Sequence, residues 1–127
     1  MKRCRLTITT TVDGRATEFS CEGQLSLSVR SAALQYQQDG ANVSLVLNGE
    51  RAKIERNGDY SLRLFLESGE KTGGALILGG NEGGIQVFTH HVSYSITKNS
   101  LLLSLHYDLL FETDKQEMKL RILARYI

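Results

Sequence analysis

No proline occurs anywhere in the 127 residues, so glycine and asparagine must punctuate the chain. Cysteine is scarce too. Cys4 and Cys21 are too few for a disulfide scaffold and lack the partner spacing of a zinc site, and both read as buried free thiols. Neither sign of charge is in excess, with 15 Lys and Arg against 14 Asp and Glu, so no overall field draws the molecule to nucleic acid or to an acidic membrane surface. Long apolar runs are missing: the richest window, Gly74 to Gly80, is far too short to cross a bilayer. Threonines follow the basic start Met1-Lys2-Arg3, where a secretory signal needs an apolar stretch. A cytoplasmic protein with no membrane partner is the expectation. No linker, repeat, low-complexity tract or helical period divides the chain, so one domain over residues 1–127 is expected. That length buries about two thirds of the surface without metals or bridges.

What the sequence does have is turn signals between runs of alternating polar and apolar residues. Asp13-Gly14, Asp39-Gly40, Asn48-Gly49 and Asn57-Gly58 are hairpin turns of the kind that needs left-handed backbone. Cross-strand neighbours share a face of a sheet, which tests each turn. The first pairs Leu6 with Cys21, Ile8 with Phe19 and Thr10 with Thr17. The second pairs Tyr36 with Val43 and Leu34 with Leu45. Asn48-Gly49 pairs Leu45 with Ala52 and Val43 with Ile54. A two-residue loop at Asn57-Gly58 puts leucines on the wrong face. A three-residue loop, Asn57-Gly58-Asp59, repairs this by pairing Ile54 with Leu62 and Arg56 with Tyr60, with Gly58 supplying a positive φ.

The later half continues in the same manner. Glycines at 73–74, 79–80 and 83–84 surround one short strand, Ala75 to Leu78, and predict a loose or edge element, a flexible hairpin. From Ile85 to Ile96 the even positions Phe88, Val92, Tyr94 and Ile96 form the apolar face, from Leu101 to Phe111 the odd ones, and from Met118 to Tyr126 the even ones. A turn near Asn99-Ser100 pairs Val92 with Tyr107 and Tyr94 with Leu105. A loop over Thr113 to Gln116 pairs Phe111 with Met118 and Leu109 with Leu120. Long one-sided strands in a meander curl and close, so the fold expected is all-β: a single antiparallel up-and-down barrel of eight to ten strands. A two-sheet sandwich is the alternative. Residues 16–29 read equally as one bent strand or as two broken at Gly23.

Ile54-Glu55-Arg56-Asn57-Gly58-Asp59-Tyr60-Ser61-Leu62-Arg63-Leu64 resembles the Arg-x-Gly hairpin of the YwiB-like family of uncharacterised bacterial proteins. The pattern resumes at Gly84 and a strand with Thr89, Val92 and Ser93, then at Leu103-Ser104-Leu105-His106-Tyr107-Asp108-Leu109, similar to a Leu-x-Leu-x-Tyr-x-Leu strand. The resemblance covers about the last two thirds of the chain. It implies a calycin-like barrel, related in shape to lipocalins and fatty-acid-binding proteins, and brings no activity with it. The chain departs from the family at Leu76-Ile77-Leu78-Gly79-Gly80, where the pattern has an aromatic and a proline before the turn.

On this face assignment Arg56, Tyr60, His90 and Tyr94 point inward among aliphatics, joined by Tyr107. A buried guanidinium is costly unless paired, so an inward Arg56 is suited to clamp the head of a small apolar or amphipathic acid along Leu62, Leu64 and Leu105. The plainer reading puts Arg56 at the barrel mouth, reaching water and stacking on Tyr60. His90 and His91 are adjacent, so on a regular strand they face opposite sides and cannot chelate one ion. His106 faces outward with Asp108. No metal and no cofactor is expected. His90 reads as a core histidine.

Ser93 and Ser104 lie on plain strands without a nucleophile elbow, and the glycine stretch lacks a phosphate-binding pattern and its helix, so no enzyme is expected. Arg3, Arg5, Lys119, Arg121 and Arg125 project outward on the first and last strands and form one basic patch if closure makes those strands neighbours. The plainer reading is a solvated face balanced by Glu18 and Glu112. Two functions follow: a non-catalytic small-molecule binder lined by Arg56, Tyr60, His90, Tyr94 and Tyr107, or an interaction module meeting a protein, a second copy or nucleic acid through its outer surface. The absence of interleaved aromatics weighs against nucleic acid.

Overall fold

The computed structural model describes residues 1–127, in ten strands and no helix. They are β1 (Lys2–Val12), β2 (Arg15–Leu27), β3 (Ser31–Gln38), β4 (Ala41–Asn48), β5 (Arg51–Asn57), β6 (Tyr60–Glu67), β7 (Lys71–Leu78), β8 (Asn81–Ile96), β9 (Ser100–Leu110) and β10 (Lys115–Tyr126). Each pairs antiparallel with its neighbours in sequence, and β1 pairs with β10 from Cys4↔Tyr126 to Val12↔Met118, closing an up-and-down barrel with no free edge. The sandwich alternative is thereby excluded. No helix is long and apolar enough to cross a membrane.

Alternation sets inside and outside: Ile8, Leu45, Leu64, Leu105 and Ile122, from five strands, are each at most 1 % accessible. The first two hairpins have the expected registers, Leu6↔Cys21 and Tyr36↔Val43. Four others are displaced by an even number of residues. At the third turn Leu45 faces Ile54 and Leu47 faces Ala52, so the loop is Gly49-Glu50 rather than Asn48-Gly49. Gly49 takes the positive φ of 63° at the first loop position, the place a type II′ turn reserves for glycine.

At the fourth turn Ile54 faces Leu64, Arg56 faces Leu62 and Asn57 faces Ser61. Gly58 is not left-handed there. A Cβ on it would lie 2.7 Å from the Ala41 Cβ, so crowding by the neighbouring turn, not backbone sign, requires glycine. Later, Val92 faces Leu105 and Tyr94 faces Leu103, while Tyr107 faces Met118 and Leu105 faces Leu120. Phe111 falls outside the ladder and is exposed. The glycine-rich hairpin is not an edge: β7 pairs with both β6 and β8, over residues 74–78 and 71–78 respectively. β2 is one continuous strand through Gly23.

The expected apolar face of β8 needs the largest correction. Val87 and Thr89 are buried, Phe88 is not, and the phase changes at a bulge between Thr89 and His91, after which Val92 is buried. One extra residue in a strand reverses the side to which everything beyond it points. Thr89 is fully buried and its hydroxyl has no hydrogen-bond partner. Thr89→Val removes a polar group stranded in the interior at nearly constant shape, and should raise unfolding stability by about 1 kcal/mol in urea titrations. A loss of stability would show that the hydroxyl has a partner in solution.

The interior is filled. Twelve leucine and isoleucine side chains, among them Leu6, Leu34, Leu47, Leu66, Leu101 and Leu103, have under 2 % of their surface accessible, so no water-sized void borders them.

Candidate functional site

The turns β1–β2, β3–β4, β5–β6, β7–β8 and β9–β10 gather at one end of the barrel by the up-and-down order. Arg56 and Tyr60 lie there. Arg56 is on the inward side beside Val43 and Leu62, with its side chain largely buried. Its guanidinium is committed to its own turn. One nitrogen donates to the Tyr60 carbonyl at 2.8 Å, another to the Asp59 carboxylate at 2.9 Å, and the plane lies 3.8 Å from the Tyr60 ring centroid. The hydrogen bond from Arg56 holds the Asp59 carboxyl below its ordinary range. The fork that would grip a ligand head group is thus occupied, as in the plainer reading of Arg56.

Tyr94 is at the opposite end, its hydroxyl donating to the Arg30 carbonyl at 2.8 Å in the β2–β3 turn. Tyr107 lies between, buried, with Tyr36 near it. Burial pushes the Tyr36 phenol up to about 12 and the Tyr107 phenol higher still, so both stay neutral. Burial likewise raises the free thiols of Cys4 and Cys21. The five residues expected to line one pocket therefore do not converge.

His90 departs furthest from expectation. As the extra residue of the β8 bulge it lies outside the barrel, and so does His91, because Thr89 and Val92 take the two inward positions flanking them. All three histidines of the chain meet on this outer face. The His90 and His106 rings stack at 4.2 Å, and His91 meets His106 edge-on at 5.7 Å. Beneath them lies Asp108, its side chain only 8 % exposed, with Oδ2 2.9 Å from His90 Nε2. Glu117 of β10 approaches His106 Nε2 at 3.3 Å. A regular strand cannot put adjacent residues on one side; the bulge does. Its signal is present in the sequence: Ile85 and Val87 set an odd apolar phase, Val92 and Tyr94 an even one, and one inserted residue must lie between.

The basic patch forms where closure puts it. Arg5 is the direct cross-strand partner of Arg125, Thr9 of Arg121 and Thr11 of Lys119. Arg3 is neutralised by Glu22 at 3.0 Å, while Arg5, Lys119, Arg121 and Arg125 make no ion pair. Among them stand two exposed leucines that are cross-strand partners, Leu123 at 40 % and Leu102 at 45 % accessible. A shallow depression of about 280 Å³ containing Arg5, Thr7 and Arg125 adjoins Leu123. A second of about 300 Å³, containing Ser93, Ser95 and Arg121, adjoins Leu102. Glu18 and Glu22 lie on the adjoining strand opposite Thr9 and Arg5, and of Glu18, Glu22 and Glu112 Glu22 alone makes an ion pair, with Arg3.

A closed ten-stranded up-and-down barrel with a packed apolar interior and its polar clusters on the outer wall is the class of protein these features define. The chain belongs to the DUF1934 family, a domain of unknown function, whose pattern matches residues 3–122. Its fold matches the crystal structure of the ywiB protein from Bacillus subtilis, with a TM-score of 0.84 over 99 % of this chain and 92 % of that one. At 14 % identity this likeness is one of fold. No curated protein matches the sequence.

Proposed function

We propose that this protein is a non-catalytic interaction module that takes an acidic protein segment on the outer face of β1, β10 and β9. The observation that carries this reading is the pair Arg5–Arg125. These like charges face each other across the β1–β10 seam, and Glu22, which stands opposite Arg5 on β2, gives its carboxylate to Arg3; Arg121 and the exposed Leu102 and Leu123 lie beside them. Like charges directly opposite in a sheet destabilise it, and an anionic partner relieves that cost. Exposed leucines between cations suit a chain carrying both carboxylates and apolar side chains. They offer nothing on which bases stack, which favours protein over nucleic acid. A filled interior argues against the alternative, a small acid held in the lumen. Free inward thiols accord with a reducing cytoplasm.

Fluorescence anisotropy tests this with a labelled peptide of alternating glutamate and leucine, against single-stranded poly-uridine as the competing class. The peptide should bind, more weakly as salt rises, and R121E/R125E should weaken it on the order of 10-fold or more. Both changed residues are at solvent-facing positions, and thermal unfolding checks that the variant is folded. Peptide binding that survives the double reversal, or tighter binding of the RNA at equal salt, would overturn the proposal.

A further inference from the structure

We propose that His90, His106 and Asp108 form a binding site for a divalent first-row transition metal, zinc by its chemistry, on the outer wall of β8 and β9. One donor atom from each of the three residues lies within 4.8 Å of the other two. A tetrahedral zinc ion with bonds of about 2.0–2.1 Å needs its ligand atoms about 3.3 Å apart. The His90 and His106 rings are stacked with planes 29° apart, so one must turn to aim both nitrogens at the ion, and His90 can do so because it is partly exposed and is the unpaired residue of the bulge.

The chemistry of the donors selects the ion. Two imidazoles and one carboxylate suit zinc and its neighbours in the first row, whereas magnesium and calcium prefer oxygen alone. Asp108 adds an independent argument. It is a carboxylate nine-tenths buried on the outer side of the sheet, with one hydrogen bond, to His90, and none to its other oxygen. Its second oxygen is reached by solvent, and a divalent cation between the carboxylate and His90 would set a full opposite charge against it.

The surroundings are those of a supported site. Glu117 holds His106 by one ring nitrogen, in the manner of the carboxylates that orient metal-bound histidines, and the Phe88 ring packs edge-on against His90 at 5.0 Å. His91 stands beside His106 but is engaged elsewhere, its Nε2 3.4 Å from the Ser104 hydroxyl. Three protein ligands leave a fourth position open to solvent for water. The bulge is what makes the site: it keeps His90 on the same side as His106 and Asp108, and a bound ion would pin the irregular part of β8 to β9. This inference does not depend on the acidic-partner reading, which uses other residues.

The untagged chain, stripped with EDTA, is titrated with zinc chloride by calorimetry, and the histidine ring protons are followed by NMR. One zinc per chain is expected, with His90 and His106 ring signals shifting together, a raised thermal midpoint and no competition from excess magnesium. H90Q and H106Q should each weaken binding on the order of 10–100-fold. H91Q should leave it within a few-fold, since His91 contributes no ligand. Circular dichroism checks that each variant is folded, and H90Q, changed at an exposed bulge position, is the variant least exposed to misfolding. Absence of zinc heat and ring shifts in the wild type, or binding undiminished in H90Q and H106Q, would overturn the site. Peptide anisotropy with R121E/R125E reads out the other proposal independently.

Discussion

Gly23→Ala should lower unfolding stability by about 3 kcal/mol, from a change of one methyl group. A Cβ at this position would lie 2.4 Å from the Gln35 carbonyl oxygen and 2.9 Å from the Leu6 Cδ1. The first contact is backbone and cannot rotate away. Gly23 is also the first residue of β2 to pair with β3, opposite Tyr36, and that seam is only five residue pairs long. Relief of the clash must therefore open one of the barrel's two shortest ladders, β6–β7 being the other. Urea unfolding should show the loss as a lower midpoint, and amide exchange should quicken over residues 24–27. Gly83→Ala is the control, because a Cβ there meets nothing within 4 Å and its φ is not left-handed. Equal stability of the two variants would mean that the β2–β3 approach is looser than described.

Leu103→Ala should cost about 3–4 kcal/mol, and it bears on function as well as on stability. Leu103 is wholly buried and pairs with Tyr94 on one side and Ile122 on the other, so its truncation leaves a void in the middle of a packed barrel. An apolar void of that kind stays dry and admits small apolar molecules. Wild-type protein should show no chemical-shift change at interior methyl groups when benzene or dodecanoate is added. The variant should respond to benzene. Dodecanoate shifting the Leu103 and Leu105 methyl groups of the wild type would show an interior that opens to ligands. It would also return the small-acid reading to first place.

The two variants probe different levels of the same problem. Alternation along each strand is visible in the residues themselves, and it suffices to put Ile8, Leu45, Leu64, Leu105 and Ile122 on the inner side of the wall. It is blind to displacement by two. Leu45 faces Ile54 instead of Ala52, and Val92 faces Leu105 instead of Tyr107, yet every one of these side chains stays inside. The outcome at Asn48-Gly49 turned on which loop position glycine occupies, and at Gly58 on the nearness of Ala41, a residue of a different hairpin. Neither can be had from the local sequence.

The candidate sites divide along the same line. Arg3, Arg5, Lys119, Arg121 and Arg125 were legible as outward residues of the first and last strands, and one row results because β1 does lie against β10. The lumen set was not: Arg56 is engaged by Asp59 and Tyr60, Tyr94 reaches the far end, and His90 is outside. The histidine cluster was hidden because strict alternation puts His90 and His91 on opposite sides, and only a change of phase between Val87 and Val92 betrays the bulge.

By itself the sequence determined which side of the wall most residues face, since that depends on a period of two, while strand length favoured closure and the β1–β10 pairing decided it. Tertiary structure decided which residues stand opposite one another and where the period breaks. Register and bulge are settled by contacts between segments distant in the chain, and shifts by two leave the hydrophobic pattern unchanged.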